Sequence, residues 1–270
     1  MRSAHEPPTV DVMSHGHTHP PAHTQAHTHR AGHEDGHRRA LDLDALVFGD
    51  QLTAVLDTVL AELGDRTPHR VVDLGAGTGT GSRLLRDRLP GADLTAVDND
   101  PGMLTHLRAQ GFTALAADLD DGFPDLPGVD LVWASSSLHH VTDPAPLLTG
   151  ARAALAPGGV LAVVEVEGLP AFTTDPAEDR ARTAALAAGW NHHPDWTATL
   201  RAAGFTVQRH DVTTTAEPSA AAQEYARLWL ERYLHLDGAD EGGALTALLA
   251  GDLVLSPRAT RALWLARAAS

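Results

Sequence analysis

A chain of 270 residues is long enough for one α/β domain with an appendage. It contains no Cys, and all twenty of its basic residues are Arg, which excludes disulfides, cysteine nucleophiles, Cys-held zinc, a P-loop lysine and a pyridoxal-phosphate Schiff base. A formal net charge of −15 repels phosphate backbones and argues against nucleic acid as a partner.

Residues 1–38 hold nine of the seventeen His, set among Pro, Thr, Gly and Ala. So few large apolar groups cannot offset the entropy of ordering, and the segment is predicted to be a disordered arm. Its imidazoles at His15, His17, His19, His27, His29, His33 and His37 are the kind that bind divalent metal, here without fixed geometry. No mixed His/carboxylate triad stands out elsewhere, so no catalytic metal is expected. The polar start does not read as a secretory signal, and no apolar run reaches the ~20 residues of a membrane span. A cytoplasmic protein without a membrane partner is expected.

A helix is predicted over Leu43–Leu63, because Leu52, Val55, Leu56, Val59, Leu60 and Leu63 repeat at helical spacing and Gly64 follows. From Arg70 short apolar runs alternate with amphipathic stretches. The runs are Val71–Leu74, Leu94–Val97, Phe112–Ala116, Val129–Ala134 and Val160–Val164. The helical stretches lie near Gly81–Leu89, Pro101–Gln110 and Pro144–Leu155. Strand–helix units of this length predict a doubly wound α/β fold with a mainly parallel sheet covered on both faces. Helices near Pro176–Ala188 and Asp195–Ala203, a strand at Phe205–Val212 and a helix at Pro218–Leu236 follow, and Arg261–Ala268, a strand or a short helix, is read as the strand that completes seven. The domain would then run over 39–270, with helical insertions at about 171–203 and 218–250. The Pro218–Leu236 helix, with its Tyr and Trp stripe, suits core packing, a homodimer interface or a substrate lid.

The most informative stretch is Val71–Gly81, in which a strand enters a turn with Gly75, Gly77, Gly79 and Gly81 and opens a helix. Such a turn lies at the strand C-terminal edge, where doubly wound sheets bind ligands. The dinucleotide pattern G-x-G-x-x-G fails here. Counted from Gly75 its third glycine falls on Thr80, and counted from Gly77 it falls on Ser82. The acid inside the strand end, Asp73, suits a cationic ligand better than a pyrophosphate.

This stretch resembles the first motif of class I S-adenosylmethionine-dependent methyltransferases, and the resemblance continues along the chain. Ala96-Val97-Asp98-Asn99-Asp100, Ala117-Asp118-Leu119, Asp130–Ser135 followed by Leu138-His139-His140-Val141, and Leu155–Leu161 look like the later motifs in their order. The resemblance implies a Rossmann-like methyltransferase fold and S-adenosylmethionine as cofactor. The cofactor would be held by Asp73, Gly75, Ala76, Gly77, Thr78, Gly79, Asp98, Asn99, Met103, Asp118, Leu119 and Ser135, with Asp98 on the ribose hydroxyls and Asp118 at the adenine amine. Ser135-Ser136-Ser137 replaces the Pro-Pro-aromatic motif of adenine methyltransferases, which favours a small-molecule acceptor, and transfer to an oxygen is expected over nitrogen or carbon.

Methyl transfer needs positioning and exclusion of water, and a base only where the acceptor must lose a proton. His139 and His140, just past the fourth strand, are the candidates for such a base. Glu165, Trp190, His192, His193 and Trp196 are expected to line the acceptor pocket. The alternatives are a core role for the two Trp, a non-methyl reaction such as cyclisation on the same fold, and a metal-binding protein with a spent methyltransferase domain.

Overall fold

The computed structural model describes residues 24–190, 193–251 and 255–268. Contacts divide the chain into Met1–His37 and Arg38–Ser270. Of the His-rich arm, residues 1–23 lie outside the described residues, and the backbone is helical from Thr24 onward.

The first helix, α1, spans Thr24–Leu63, longer than the periodicity predicts, and breaks at Phe48 (φ −119°, ψ 22°). Its C-terminal half buries Leu52, Val55, Leu56, Val59 and Leu63, the stripe visible in the sequence. There follow β1 (Arg70–Leu74), α2 (Thr80–Arg88), β2 (Asp93–Asp98), α3 (Pro101–Ala109), β3 (Thr113–Ala116), β4 (Val129–Ser135), α4 (Pro144–Ala154) and β5 (Leu155–Ala171). Then come α5 (Pro176–Ala187), α6 (Trp196–Ala202), β6 (Phe205–Thr215), α7 (Ala220–Tyr233), α8 (Ala244–Ala250) and β7 (Arg258–Ala268).

The sheet order is β3-β2-β1-β4-β5-β7-β6. Strands β1 to β5 pair in parallel, and β7 runs antiparallel between β5 and β6. Chain order reverses between β1 and β4, so the loops that follow them open a crevice at the C-terminal edge. Both faces of the sheet are covered. Val72, Leu74, Val132 and Leu161 pack on one side with α4 and α6, and Val71, Leu131, Trp133 and Val160 pack on the other with α1 and α2. Such double coverage is why the central strands read as apolar runs rather than as alternating ones.

Strand β5 is much longer than its apolar core, Val160–Val164. The reason is its partner. Antiparallel β7 continues the ladder through Glu165↔Ala262, Val166↔Arg261 and Glu167↔Thr260, so polar residues beyond the core remain in strand. Helices α5, α7 and α8 and the Leu43–Phe48 stretch of α1 make a second core over the extended ends of β5 and β7, with Phe48, Phe172, Tyr225, Leu230 and Tyr233 in it.

Candidate active site

The loop after β1 is built by backbone geometry that side chains would forbid. Gly75 and Gly77 have φ of +65° and +53°. A Cβ on Gly75 would lie 2.5 Å from Ser137 Cβ, whereas the Cβ position of Gly77 faces open space. The loop is therefore pinned against the segment after β4 on one side and leaves a cradle on the other. The amide of Ala76 donates to Val97 O at 2.9 Å, and Gly79 closes the turn by donating to Ala76 O at 2.8 Å.

Asp98, at the end of β2 and 9% exposed, holds this loop directly. Its Oδ2 accepts from the Gly77 amide at 2.8 Å, and its Oδ1 accepts from the Asp100 amide at 2.9 Å. Asn99 lies exposed just beyond it. The carboxylate of Asp100 caps α3 by accepting from the amide of half-buried Met103 at 2.7 Å. Asp118 is exposed after β3; its Oδ1 accepts from the Asp120 amide at 3.0 Å, and Leu119 packs against the core.

Asp73 lies away from the open edge. It is 2% exposed beneath the first turn of α2, where its Oδ2 accepts from Ser82 Oγ at 2.6 Å. Burial pushes its carboxyl up to about 7 against the opposing Ser82 hydrogen bond, and the nearby charge of Asp98 adds to the rise. Gly81 leaves room for this arrangement, since a Cβ there would lie 3.0 Å from Trp133 Nε1 and 3.1 Å from Asp73 Oδ2. Asp73 thus supports the loop from behind.

On the other side of the crevice, Ser136 takes a left-handed backbone (φ 52°) right after Ser135, and its amide donates to Val164 O at 2.7 Å. Backbone strain of this kind in a non-glycine residue costs on the order of 1 kcal/mol and clusters at functional sites. Leu138, buried in the core, anchors the short turn that carries His139 and His140. His139 Nδ1 lies 2.8 Å from Glu165 Oε2. The Glu165 side chain is 1% exposed and that of His139 is 26% exposed. His140 is exposed, with its ring centroid 4.1 Å from that of His139.

The remaining residues expected to line an acceptor pocket divide. Glu165 faces His139. His193 Nε2 lies 3.0 Å from Val166 O and its Nδ1 lies 3.1 Å from Pro194 O, which ties the ring to the backbone. Trp196 is 3% exposed in the core of the sheet, and this burial leaves it no face for stacking on an acceptor. Trp190 packs on Trp229 and Tyr233, with Arg232 over its ring. His192 lies outside the described residues. Sequence reasoning missed Ser137 as the residue that seats Gly75, and it missed Ser82 as the partner of Asp73. Neither carries a signal that periodicity or spacing would expose.

Residues 72–161 match the family model described as a methyltransferase domain. The sheet order and the glycine loop with its Asp98 clasp fall within and around this match, so the segment is similar to a methyltransferase domain. Among similar proteins, a trans-aconitate 2-methyltransferase from Acidovorax ebreus is 32% identical over 165 residues, which cover 60% of this chain and 62% of that protein. One from Methylobacterium nodulans is 38% identical over 120 residues, 44% of this chain and 46% of that protein. The chain therefore spans less than two thirds of the length of these relatives. A phosphoethanolamine N-methyltransferase 2 from Haemonchus contortus, solved with phosphomonomethylethanolamine and S-adenosylhomocysteine, shares the fold (TM-score 0.51, 16% identity, 84% of this chain and 56% of that one). A methyltransferase domain implies S-adenosylmethionine as its cofactor. The residues fit it: Gly77 faces open space, and the carboxylates of Asp98 and Asp118 stand at the ends of the neighbouring strands, as acceptors for hydroxyl and amine donors.

Proposed function

We propose that the protein transfers the methyl group of S-adenosylmethionine to an oxygen of a small-molecule acceptor. The observation that carries this reading is a shared edge. The cradle at Gly77 and its clasp at Asp98 close one side of the crevice after β1 and β2, and His139, after β4, stands on the other beside Glu165 of β5. When bound, the cofactor supplies an activated methyl group on a sulfonium. The chain contributes the pocket: the loop amides and Asp98 orient the donor, Asp118 receives its amine, and the β4–β5 side orients the acceptor and excludes water.

The names of the relatives favour a carboxylic acid as acceptor, so trans-aconitate is one acceptor to try. Titration calorimetry with S-adenosylmethionine, and with NADH as control, tests the donor half. Incubation with S-adenosylmethionine and a panel of small hydroxyl and carboxyl compounds, read by mass, tests the transfer. A spent domain would bind no donor, and a cyclase-like enzyme would release products without added methyl. Either result refutes the proposal.

A further inference from the structure

His139 and Glu165 form a pair that a structural role does not explain. Glu165 is 1% exposed, and its Oε1 has no hydrogen-bond partner among the described residues. The residue opposite it on β7 is Ala262, whose side chain offers no donor. A buried carboxylate satisfied on one oxygen only is costly, and an apolar residue would serve stability better. What the arrangement does provide is direction. Glu165 Oε2 fixes the proton of the imidazole on Nδ1, which leaves the Nε2 lone pair as the basic atom of a ring that is partly exposed at the edge of the crevice. A negative charge held at 2.8 Å then stabilises the imidazolium formed when Nε2 takes a proton.

We infer that Glu165 is a positioning residue that acts through His139, and that the acceptor group is an ionisable hydroxyl, a phenol or an enol, rather than a carboxylate. The inference rests on the oxygen-methylation reading above. A carboxylate has no proton to lose at neutral pH, so a buried pair that prepares a base would be idle for it. Two arginines on the neighbouring strands already face carboxylates: Arg209 with Glu167, Asp195 and Asp211, and Arg261 with Asp44. In the step itself the hydroxyl proton passes to His139 Nε2 while an oxygen lone pair forms the new C–O bond. The electron pair of the broken S–C bond stays on sulfur, and the imidazolium returns its proton to solvent.

The test combines two readouts on the full chain. The first is nitrogen-15 NMR of histidine-labelled protein, with the His139 signals assigned by comparison with His139→Asn. Nδ1 should carry the proton and Nε2 none at pH values where the ring is neutral. In Glu165→Gln, whose amide can donate to Nδ1, the proton should move to Nε2. The second is methylation of a phenol and enol panel against a carboxylic acid panel that includes trans-aconitate. Hydroxyl compounds should be methylated. Glu165→Gln should lower kcat by about 10²–10⁴-fold with acceptor KM and donor Kd unchanged, and Glu165→Asp should restore part of it. Product from carboxylic acids alone would overturn the inference while leaving oxygen methylation standing. So would an unaltered kcat in Glu165→Gln, or a proton on Nε2 in the parent protein. If neither panel reacts, the imidazole signals alone decide it.

Discussion

Gly75 and Ser137 meet so closely that a single added carbon on the glycine would sit 2.5 Å from Ser137 Cβ. This contact joins the loop after β1 to the segment after β4, the two sides of the crevice at which the sheet reverses its order. Gly75 also has a positive φ, so an Ala there carries backbone strain as well as the clash. Gly75→Ala is expected to weaken S-adenosylmethionine binding by more than tenfold in titration calorimetry. Gly77→Ala carries strain without a clash and should weaken it less. Equal effects would mean that the Ser137 contact is not what seats the loop.

Asp98 has a double duty, since its two oxygens hold the amides of Gly77 and Asp100 before any ligand arrives. Asp98→Ala removes a charged acceptor that orders the loop. Donor affinity should fall by on the order of 1–3 kcal/mol, read as Kd by calorimetry. An unchanged Kd would remove Asp98 from the cofactor site.

Asp73 makes stability depend on pH in an unusual direction. Its folded carboxyl is held up at about 7 by burial, against an ordinary value of 3.8. Between these values the folded state keeps a proton that the unfolded chain has lost. The contribution of Asp73 is therefore fully favourable below about 4, declines as pH rises through the window and is flat above about 7. Asp73→Asn keeps an acceptor for Ser82 and removes this slope. In urea unfolding the variant should gain about 3 kcal/mol on the parent between pH 5 and pH 8. A constant difference across that range would show that Asp73 is charged in both states.

Asp195 is a cap of another kind. It opens α6 by accepting from the Thr197 amide at 2.8 Å, and it also accepts from Trp264 Nε1 at 3.1 Å. The Thr197 hydrogen bonds are the main cause that holds its carboxyl down at about 2. Asp195→Ala should cost about 1 kcal/mol of stability, as loss of an N-cap does, and leave donor binding unaltered. A loss of donor affinity would tie α6 to the crevice.

The sequence by itself determined the alternation of strand and helix, the seven strands, and the order of glycine loop, Asp98 and Asp118. These are local properties: apolar runs of strand length, helix periods, and glycines where the backbone must turn. Tertiary structure decided what those side chains face. It buried Asp73 behind the loop, sank Trp196 into the core and placed Glu165 against His139. It also decided how far β5 runs, because antiparallel β7, almost a hundred residues away in sequence, supplies the ladder for Glu165–Glu167. The physical reason is the same each time. Period and propensity report which elements a segment forms, whereas the direction and partner of a polar side chain depend on residues that only folding brings within a few ångströms.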